Sequence, residues 1–289
     1  IKNRYEFMLI FDCKNGNPNG DPDAANMPRI DVDTNLGLVT DVCLKRKIRN
    51  WISFNKANEE GFDIYVNRVA PLTLKAKAAL DAKDKVKVSK DDEEQFVIDF
   101  MTSKYFDIRT FGAAIVRFTS KEAKLSGNAG QLTGPVQLTF AQSVDPIYPQ
   151  SITITRNAIE TEKDFEGKKT EMGNKWIVPY GLYVAKGYIS ANLAERTNFS
   201  EDDLTVLWEA IMHMFDDDHS AARGEMNVRK LIVFKHNSKH GNAPSHKLFE
   251  LVNINKTDGV DIPHSFKDYK IELPKEFELP TGVELKVFN

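Results

Sequence analysis

The sequence predicts an α+β fold, and three observations support that class. Apolar runs rich in β-branched and aromatic residues recur along the chain and are typical of strands. A few segments between them carry apolar residues at helical spacing. The elements follow in the order strand, helix, strand, helix, several strands, helix and two strands, which favours antiparallel strands with helices on one side. A chain of 289 residues is long enough to bury a sizeable core.

The elements of the first half are read from capping residues and periodicity. Tyr5 to Phe11 is an apolar run that predicts a strand. Thr40 is a suitable N-cap for a helix from Asp41 to about Asn58. Phe62 to Val69 alternates and predicts a second strand, and Asp91 to Met101 has the apolar spacing of a second helix.

The second half is dominated by strands. Three segments have strong β propensity: Leu132 to Ile147, Ser151 to Arg156 and Trp176 to Leu193. Ser200 begins an amphipathic helix that extends to about Asp216, with Asp203 in the place of the usual Glu or Gln of a capping box. "VRKLIVFKHN" and "HKLFELVNI" predict a late strand pair. This order indicates a ferredoxin-like or RNA-recognition-type domain enlarged by insertions.

Two segments do not fit that core. Lys75 to Lys90 is polar and rich in lysine, and we predict a helical or finger-like insertion over residues 70–104. Residues 157–175 separate two strand runs by 19 hydrophilic residues, far more than a hairpin turn needs, and therefore predict a protruding arm. The whole chain, 1–289, is otherwise expected to form one domain.

Composition limits the possible functions. With 39 Lys+Arg against 42 Asp+Glu the net charge is -3, so any site for a polyanion must be local. No apolar run is long enough to span a bilayer, and we expect a soluble protein without a membrane partner. Cys13 and Cys43 provide neither a disulfide framework nor a paired metal motif, which favours a reducing, cytoplasmic location.

The first helix has an unusual distribution of charge. Its predicted buried stripe is Leu44, Ile48, Trp51 and Ile52. The adjoining face carries Lys45, Arg46, Arg49 and Lys56, and no acidic residue occurs from Val42 to Asn58. This face is either an ordinary solvated surface or a row of phosphate contacts, since cations on a rigid helix can follow a nucleic-acid backbone without reading bases.

Several loops carry residues suited to ligand contact. "NGNPNGDPD" is a long turn-forming loop directly after a strand, and it contains Asn15, Asn17 and Asn19. "YFDIRTFGAAI" places Arg109 and Thr110 before Phe111 and Gly112, and "DDDHSAARGEMNVRK" contains Arg223. Each alone is an ordinary loop, but together they offer backbone amides and isolated cations around one sheet.

Enzymatic interpretations find weaker support. "DVDTNLG" resembles a calcium loop, but Leu36 stands where glycine is expected and Val42 where the bidentate glutamate is expected. "HMFDDDHS" contains possible metal ligands, although a solvated loop is favoured because no companion set occurs at ligand spacing. No nucleophile elbow, P-loop or dinucleotide fingerprint is present, and we predict neither metal nor cofactor.

Six blocks occur in order along the chain: "NRYEFMLIFDCKNGNPNGDPDAANMPRID", "GLVTDVCLKRKIRNWI", "YFDIRTFGA", "LTGPVQLTFAQSVDPI", "WIVPYGLYVAKGYISANLA" and "FDDDHSAARGEMNVRKLIVFKH". Together they resemble the backbone subunit of the type I-C CRISPR surveillance complex, Cascade, which belongs to the "Cas seven" group of the RAMP superfamily. They cover most of the chain from Asn3 to about His240.

The resemblance implies a modified RNA-recognition palm with an inserted thumb hairpin and finger-like segments. It implies a non-catalytic antiviral subunit that polymerises head to tail along CRISPR RNA and supports pairing of the guide with a target DNA strand. Its other implied partners are neighbouring copies, the guide-processing end subunit and the large subunit. Residues 157–175 would form the thumb, and the RNA-binding candidates are Asn15, Asn17, Asn19, Lys45, Arg46, Arg49, Arg109, Thr110, Phe111, Gly112, Arg156, Lys168, Lys169 and Arg223.

Two other functions remain open at this point. Relatives in other CRISPR types place a catalytic aspartate in a palm loop, so a metal-dependent ribonuclease using Asp12, Asp31 or Asp33 is the alternative. A structural filament without nucleic acid is the third.

Overall fold

A computed structural model describes residues 1–86, 89, 92–114, 117–120, 125–128, 131–156 and 171–289. Its helices are α1 (Asp41–Asn55), α2 (Leu72–Val86), α3 (Glu93–Lys104), α4 (Phe106–Phe111), α5 (Ala191–Thr197), α6 (Glu201–His213) and α7 (Ser245–Phe249). The strands are β1 (Tyr5–Gly16), β2 (Gly20–Asp21), β3 (Met27–Pro28), β4 (Leu36–Val39), β5 (Gly112–Ala114), β6 (Arg117–Ser120), β7 (Leu125–Asn128), β8 (Gln131–Thr133), β9 (Val136–Leu138), β10 (Ala141–Pro146), β11 (Gln150–Arg156), β12 (Glu171–Ile189), β13 (Glu225–His236), β14 (Asn253–Lys256), β15 (Tyr269–Glu272) and β16 (Val283–Phe288).

The main sheet is antiparallel and has eight strands. Its order is β16-β13-β1-β12-β10-β4, and β9 and β11 also pair with the long strand β12. The register of β1 against β12 begins at Tyr5 opposite Ile189 and ends at Gly16 opposite Val178. The predicted α+β class is confirmed, with a central antiparallel sheet and helices packed against it.

Each face of the sheet carries its own core because successive side chains of a strand point to opposite sides. Phe7, Leu9 and Phe11 of β1 lie in the cluster that includes residues of α1 and α6. Met8 and Ile10 lie in the other cluster, which includes residues of α7, β14 and β15. The helices α1 and α6 thus share one face, and the C-terminal segment covers the other.

Local signals correctly located the two main helices. Thr40 caps α1, its Oγ1 accepting from the backbone nitrogen of Cys43 at 3.2 Å. The predicted apolar stripe of α1 is buried, from Leu44 to Ile52. Ser200 and Asp203 form the capping box of α6, as their spacing predicted.

Three predicted strands are corrected. Phe62 to Val69 is not a strand, because the amides of Tyr65 and Val66 donate to the carboxylate of Asp107 instead of to another strand. "HKLFELVNI" contains α7, whose Leu248 and Phe249 fill the core on that face, and β13 pairs instead with β1 and β16. The strand predicted to continue to Leu193 ends at Ile189, and α5 follows, capped by Ser190.

The predicted insertion at 70–104 contains two helices, α2 and α3. They share a small apolar core of their own with α4, formed by buried side chains such as Ala79, Val97, Met101 and Ile108. This segment is therefore packed around a satellite cluster, and its boundaries as an insertion stay a prediction. None of the described helices is long and apolar enough to cross a membrane.

Candidate nucleic-acid interface

The Asn/Gly/Pro loop is attached to the beginning of α1. Oδ1 of Asn19 accepts from both the backbone nitrogen and Oγ1 of Thr40, at 2.9 and 3.0 Å. Sγ of Cys43 donates to the carbonyl of Pro18 at 3.6 Å. Oδ1 of Asn19 therefore holds the loop against the helix cap. Nδ2 of the same side chain is the atom that could donate to a ligand.

The same loop packs against the loop that contains Arg223. The backbone nitrogen of Asn17 donates to the carbonyl of Ala222 at 2.7 Å. Gly16 is required by this close approach, because a Cβ there would lie 2.5 Å from the backbone nitrogen of Gly224. The side chain of Asn17 is buried and donates to the carbonyl of Asn26 at 2.6 Å. Asn15, in contrast, is exposed and has a left-handed backbone with a φ of 51°.

One flank of α1 contains an ion cluster in which Asp218 is the shared anion. Lys47 pairs with Oδ2 of Asp218, and Nη1 of Arg223 lies 3.1 Å from Oδ1. The Lys47 side chain is only 3% exposed. Burial lowers its pKa, and the hydrogen bond to Asp218 opposes that shift. This cluster fixes the Arg223 loop to the helix and gives Asp218, from the "HMFDDDHS" motif, a structural partner.

The other flank of α1 lies over Phe111. Nζ of Lys45 is 5.7 Å and Cζ of Arg49 is 5.2 Å from the centre of the Phe111 ring. Each cation also has a carboxylate partner: Asp41 lies 2.9 Å from Lys45, and Asp107 lies 2.7 Å from Nε of Arg49. Gly112 has a φ of 76°, in the left-handed region that favours glycine. The structure thus places Lys45 and Arg49 beside the Phe111 ring, with Gly112 next in the chain.

Arg109 and Thr110 lie inside the protein. The guanidinium of Arg109 bonds to Asp203 at 2.7 to 3.0 Å and to the carbonyls of Gly61 and Thr102 at 2.7 and 3.0 Å. Thr110 is 0% exposed. Because the polar groups of Arg109 and Thr110 are buried, a ligand cannot reach these two predicted RNA-binding residues in this conformation.

Two more cations, both exposed, lie near the beginning of α1 and the loop that follows β1. Arg46 projects from α1, and Lys14 stands at the end of β1 directly before the loop; neither pairs with a carboxylate of the described residues. Lys14 was missed by the sequence analysis, although its place at the junction of strand and loop was a usable signal. Lys47 was also missed, and it occupies the i+3 position of the Leu44, Ile48, Trp51 stripe.

Three of the predicted RNA-binding residues lie in or directly beside the segment 157–175, which the sequence predicts to be an arm. Arg156 ends β11 and lies opposite Glu171 in the pairing with β12. Lys168 and Lys169 lie outside the described residues, as does most of the 157–175 segment.

Two of the three aspartates of the ribonuclease alternative, Asp12 and Asp31, have identifiable partners. Asp12 is 1% exposed and accepts from Nε of Arg229 at 2.8 Å and from the Tyr180 hydroxyl at 3.2 Å. Asp31 accepts from the backbone nitrogen of Asp33 at 3.1 Å and closes a local turn. Among the described residues no group of three or more His, Cys, Asp and Glu is arranged to hold a metal ion.

The link between Asn19 and Thr40 gives a first prediction. Replacing Asn19 by Ala removes two hydrogen bonds and should lower the free energy of unfolding by about 1–2 kcal/mol. Burial raises the pKa of the Cys43 thiol, so native Cys43 should alkylate slowly at pH 8, and it should react faster once the loop no longer holds Pro18 against it.

The matched control is Asn55→Ala, which removes a side-chain bond to Trp51 at the other end of α1. Cys13 is an internal reference, because burial raises its pKa to about 12. An unchanged alkylation rate in Asn19→Ala would mean that the loop is held by other interactions.

Two comparisons with known proteins identify the same family for this chain. The family model described as CRISPR-associated protein Cas7 matches residues 3–274. A CRISPR-associated protein Cas7 from Haloferax volcanii is 29% identical over 229 residues, covering 72% of this chain and 64% of that relative's length. This chain therefore spans less than two thirds of the relative.

Similar chains occur in solved structures. One belongs to a CRISPR RNA-guided surveillance complex in a pre-nicking state, with a TM-score of 0.48, 14% identity and coverage of 80% of this chain and 75% of that one. Another belongs to a type III-B Cmr-beta complex bound to cognate target RNA, with a TM-score of 0.42, 11% identity and coverage of 80% and 61%.

Proposed function

Because this chain belongs to the Cas7 family of CRISPR-associated proteins, we propose that it is an RNA-binding backbone subunit of a type I-C surveillance complex. The observation that carries the proposal is the cationic end of the sheet. There, α1 presents Arg46 between two flanks of fixed cations, and Lys14 stands beside the adjoining loop. This arrangement suits a phosphate backbone crossing the beginning of the helix.

The cations are of two kinds, and they serve the RNA differently. Lys45, Arg49 and Arg223 are held by Asp41, Asp107 and Asp218, so their positions are set before RNA arrives. Arg46 and Lys14 pair with no carboxylate in the part of the chain that the structure describes, and in this proposal they supply most of the attraction. Phosphate contacts of this kind fix the position of a strand and carry no sequence information.

We propose that the arm at 157–175 is the thumb that crosses the guide and that the α2–α3 segment is a finger. Support for the arm comes from its described base, where β11 and β12 pair from Gln150 opposite Ile177 to Arg156 opposite Glu171. The part of β12 that pairs with β11 lies beyond Val178, where the pairing of β12 with β1 ends. In this function Arg156, Lys168 and Lys169 contact RNA, and neighbouring copies, a target DNA strand and other Cascade subunits are the partners.

We also propose that the subunit binds RNA without cleaving it. The test is incubation of the assembled protein with labelled RNA in magnesium, with Asp31→Asn and Asp33→Asn as matched variants. Intact RNA supports the binding role. Cleavage that either variant abolishes would support the ribonuclease alternative and overturn the proposal.

Recognition of the backbone predicts a specific salt dependence. Affinity for unrelated single-stranded guides of equal length should be nearly equal, and log K should fall with log salt by roughly 0.7 per phosphate neutralised. The measurement is a titration of two guides of unrelated composition at several salt concentrations. A preference for one base composition that persists at high salt would contradict the prediction.

A further inference from the structure

A groove of about 600 Å³ lies between α6 and the edge of the main sheet, where β16 is the last strand. Its floor is apolar and contains Trp208 and Met212 of α6, Val233 of β13 and Phe288 of β16. Trp208, Met212 and Phe288 are partly exposed in this groove. Exposed apolar side chains that line a concave surface are typical of an interaction site.

The groove exists because α6 leaves part of β16 uncovered. Phe288 and Lys286 of β16 lie opposite Leu231 and Val233 of β13. Directly opposite residues of an antiparallel pair share a face of the sheet, and Leu231 and Val233 belong to the core on the side of α1 and α6. The uncovered face of β16 therefore lies in the same layer as these helices, beside α6, where a further helix could pack against the sheet.

Trp208 gives the groove a rigid centre. Its ring lies 5.2 Å from that of Phe7 and 6.3 Å from that of Tyr5, both edge to face, and 6.5 Å from that of Phe288. Because these contacts fix the indole ring, little conformational entropy would be lost when a partner covers it. Partly exposed tryptophans at the centre of a surface are frequent hot spots of protein interfaces.

The two walls of the groove carry opposite charges. Glu201 and Glu209 stand on the wall formed by α6, eight residues apart and therefore on the same side of the helix. Lys235 and Lys286 stand on the wall formed by the sheet. Lys235 lies 3.6 Å from Glu284, whereas Lys286 is exposed and pairs with no carboxylate among the described residues. Lys286 is therefore the main positive charge of the groove.

The shape and charges of the groove favour a helix as its occupant. Leu204, Trp208 and Met212 follow each other at four-residue spacing, so the apolar floor extends for about 12 Å along α6. A helix can present an apolar stripe between two flanks of different charge, which matches an apolar floor between an acidic and a basic wall. Successive side chains of a strand point to opposite faces, so a strand could not direct all three kinds of group into the groove.

We infer that this groove is a docking site for an amphipathic helix of another protein. The apolar stripe of that helix covers Trp208, its basic flank faces Glu201 and Glu209, and its acidic flank faces Lys286. This site is separate from the proposed RNA site: Tyr5, at the groove, and Lys14 are nine positions apart on β1, or about 30 Å. The protein can therefore bind the helix and RNA at the same time.

The test uses two labelled peptides of about 14 residues, each held helical by a hydrocarbon staple on its outer face, because a free helix of this length is marginal in water. Both peptides carry a leucine stripe. The bipolar peptide has Glu on one flank and Lys on the other, and the basic peptide has Lys on both flanks. Since a helix can lie in the groove in either direction, the bipolar peptide can always direct its Glu flank toward Lys286. Binding to the whole chain is measured by fluorescence anisotropy.

The unmodified protein should bind the bipolar peptide roughly fivefold more tightly than the basic peptide. Lys286→Glu makes both walls acidic and should reverse this preference. The matched control is Lys247→Glu, which makes the same change of charge at an exposed position on α7, outside the groove, and should keep the preference. Trp208→Ala should weaken the binding of both peptides about tenfold or more. If Trp208→Ala does not fold, the exposed variant Lys286→Glu still decides the question.

Three results with these peptides would overturn the inference: no saturable binding of either one, an unchanged preference in Lys286→Glu, or an equal reversal in Lys247→Glu. Tighter binding of an unstapled peptide in which leucine alternates with charged residues would also overturn it, by showing that a strand pairs with the edge of β16. Displacement of the bipolar peptide by a short RNA would overturn it as well, because the groove would then take nucleic acid. The peptide measurements need no RNA, so they remain valid if the proposed function fails.

Discussion

Replacing Arg109 by Leu is expected to lower the free energy of unfolding by about 3–5 kcal/mol. The reason is that Asp203 would remain buried without its cation. The carbonyls of Gly61 and Thr102 would also lose their donor. Thermal melting should fall by roughly 6–20 °C, and affinity for RNA, measured below the melting transition, should change little.

Asp203 makes this position especially sensitive because its carboxylate serves two partners. One oxygen is shared by two nitrogens of Arg109, and the other also accepts from the backbone nitrogen and hydroxyl of Ser200, at 2.9 and 3.0 Å. Arg109 thus connects α4 to the beginning of α6. Removing it should loosen the capping box as well as the ion pair.

Two variants separate the structural role from an RNA-binding role. Arg109→Lys keeps the charge but cannot reproduce the forked geometry, so it should show an intermediate loss of stability. Arg196→Leu removes an exposed arginine from α5 and should change stability by less than about 0.5 kcal/mol. If the Arg109→Leu protein is stable but no longer binds RNA, Arg109 contacts RNA and its role is not only structural.

The elements that could be predicted from sequence are those set by local signals. α1 follows from the cap at Thr40 and its apolar stripe, and α6 follows from the spacing of Ser200 and Asp203. β1 follows from a long apolar run that is buried along nearly all its length. In each case the residues that determine the element lie within the element or at its end.

The errors occur where a distant residue decides the structure. Phe62 to Val69 has the pattern of a strand, but Asp107 captures its amides from more than forty positions away. From its sequence context Arg109 is expected to be a cation in a loop, but in the fold it pairs with Asp203, 94 positions away. The order of charges along a sequence does not show which cations are neutralised inside the fold.

Pairing with carboxylates inside the fold also separates the residues of the predicted basic face of α1 into two groups. Of the three residues expected to contact phosphate, Lys45 and Arg49 are half-buried and paired, whereas Arg46 is exposed. Changing Arg49 to Glu would place a second carboxylate beside the 1%-exposed side chain of Asp107, so stability and RNA binding should fall together. Arg49 alone therefore cannot distinguish a phosphate contact from a structural ion pair.

Arg46 and Lys14 can make that distinction. Changing both to Glu should leave melting almost unchanged, because exposed substitutions usually stay within about 0.5 kcal/mol. Affinity for a short RNA should fall about tenfold or more, since two attractions become repulsions. The salt slope should become shallower by roughly 0.7 for each phosphate that is no longer neutralised. Along a guide that binds several copies, the reductions in affinity multiply.

The matched control is Lys270→Glu on the opposite side of the sheet, where Lys270 is 69% exposed and lies 2.7 Å from Glu272. It makes the same change of charge away from the proposed RNA path, so its RNA affinity and salt slope should match those of the unmodified protein. An equal fall in affinity for Lys270→Glu would mean that net charge alone governs binding. Full retention of RNA by the Lys14→Glu, Arg46→Glu protein would place the guide elsewhere on the molecule and make this helix face an ordinary solvated surface.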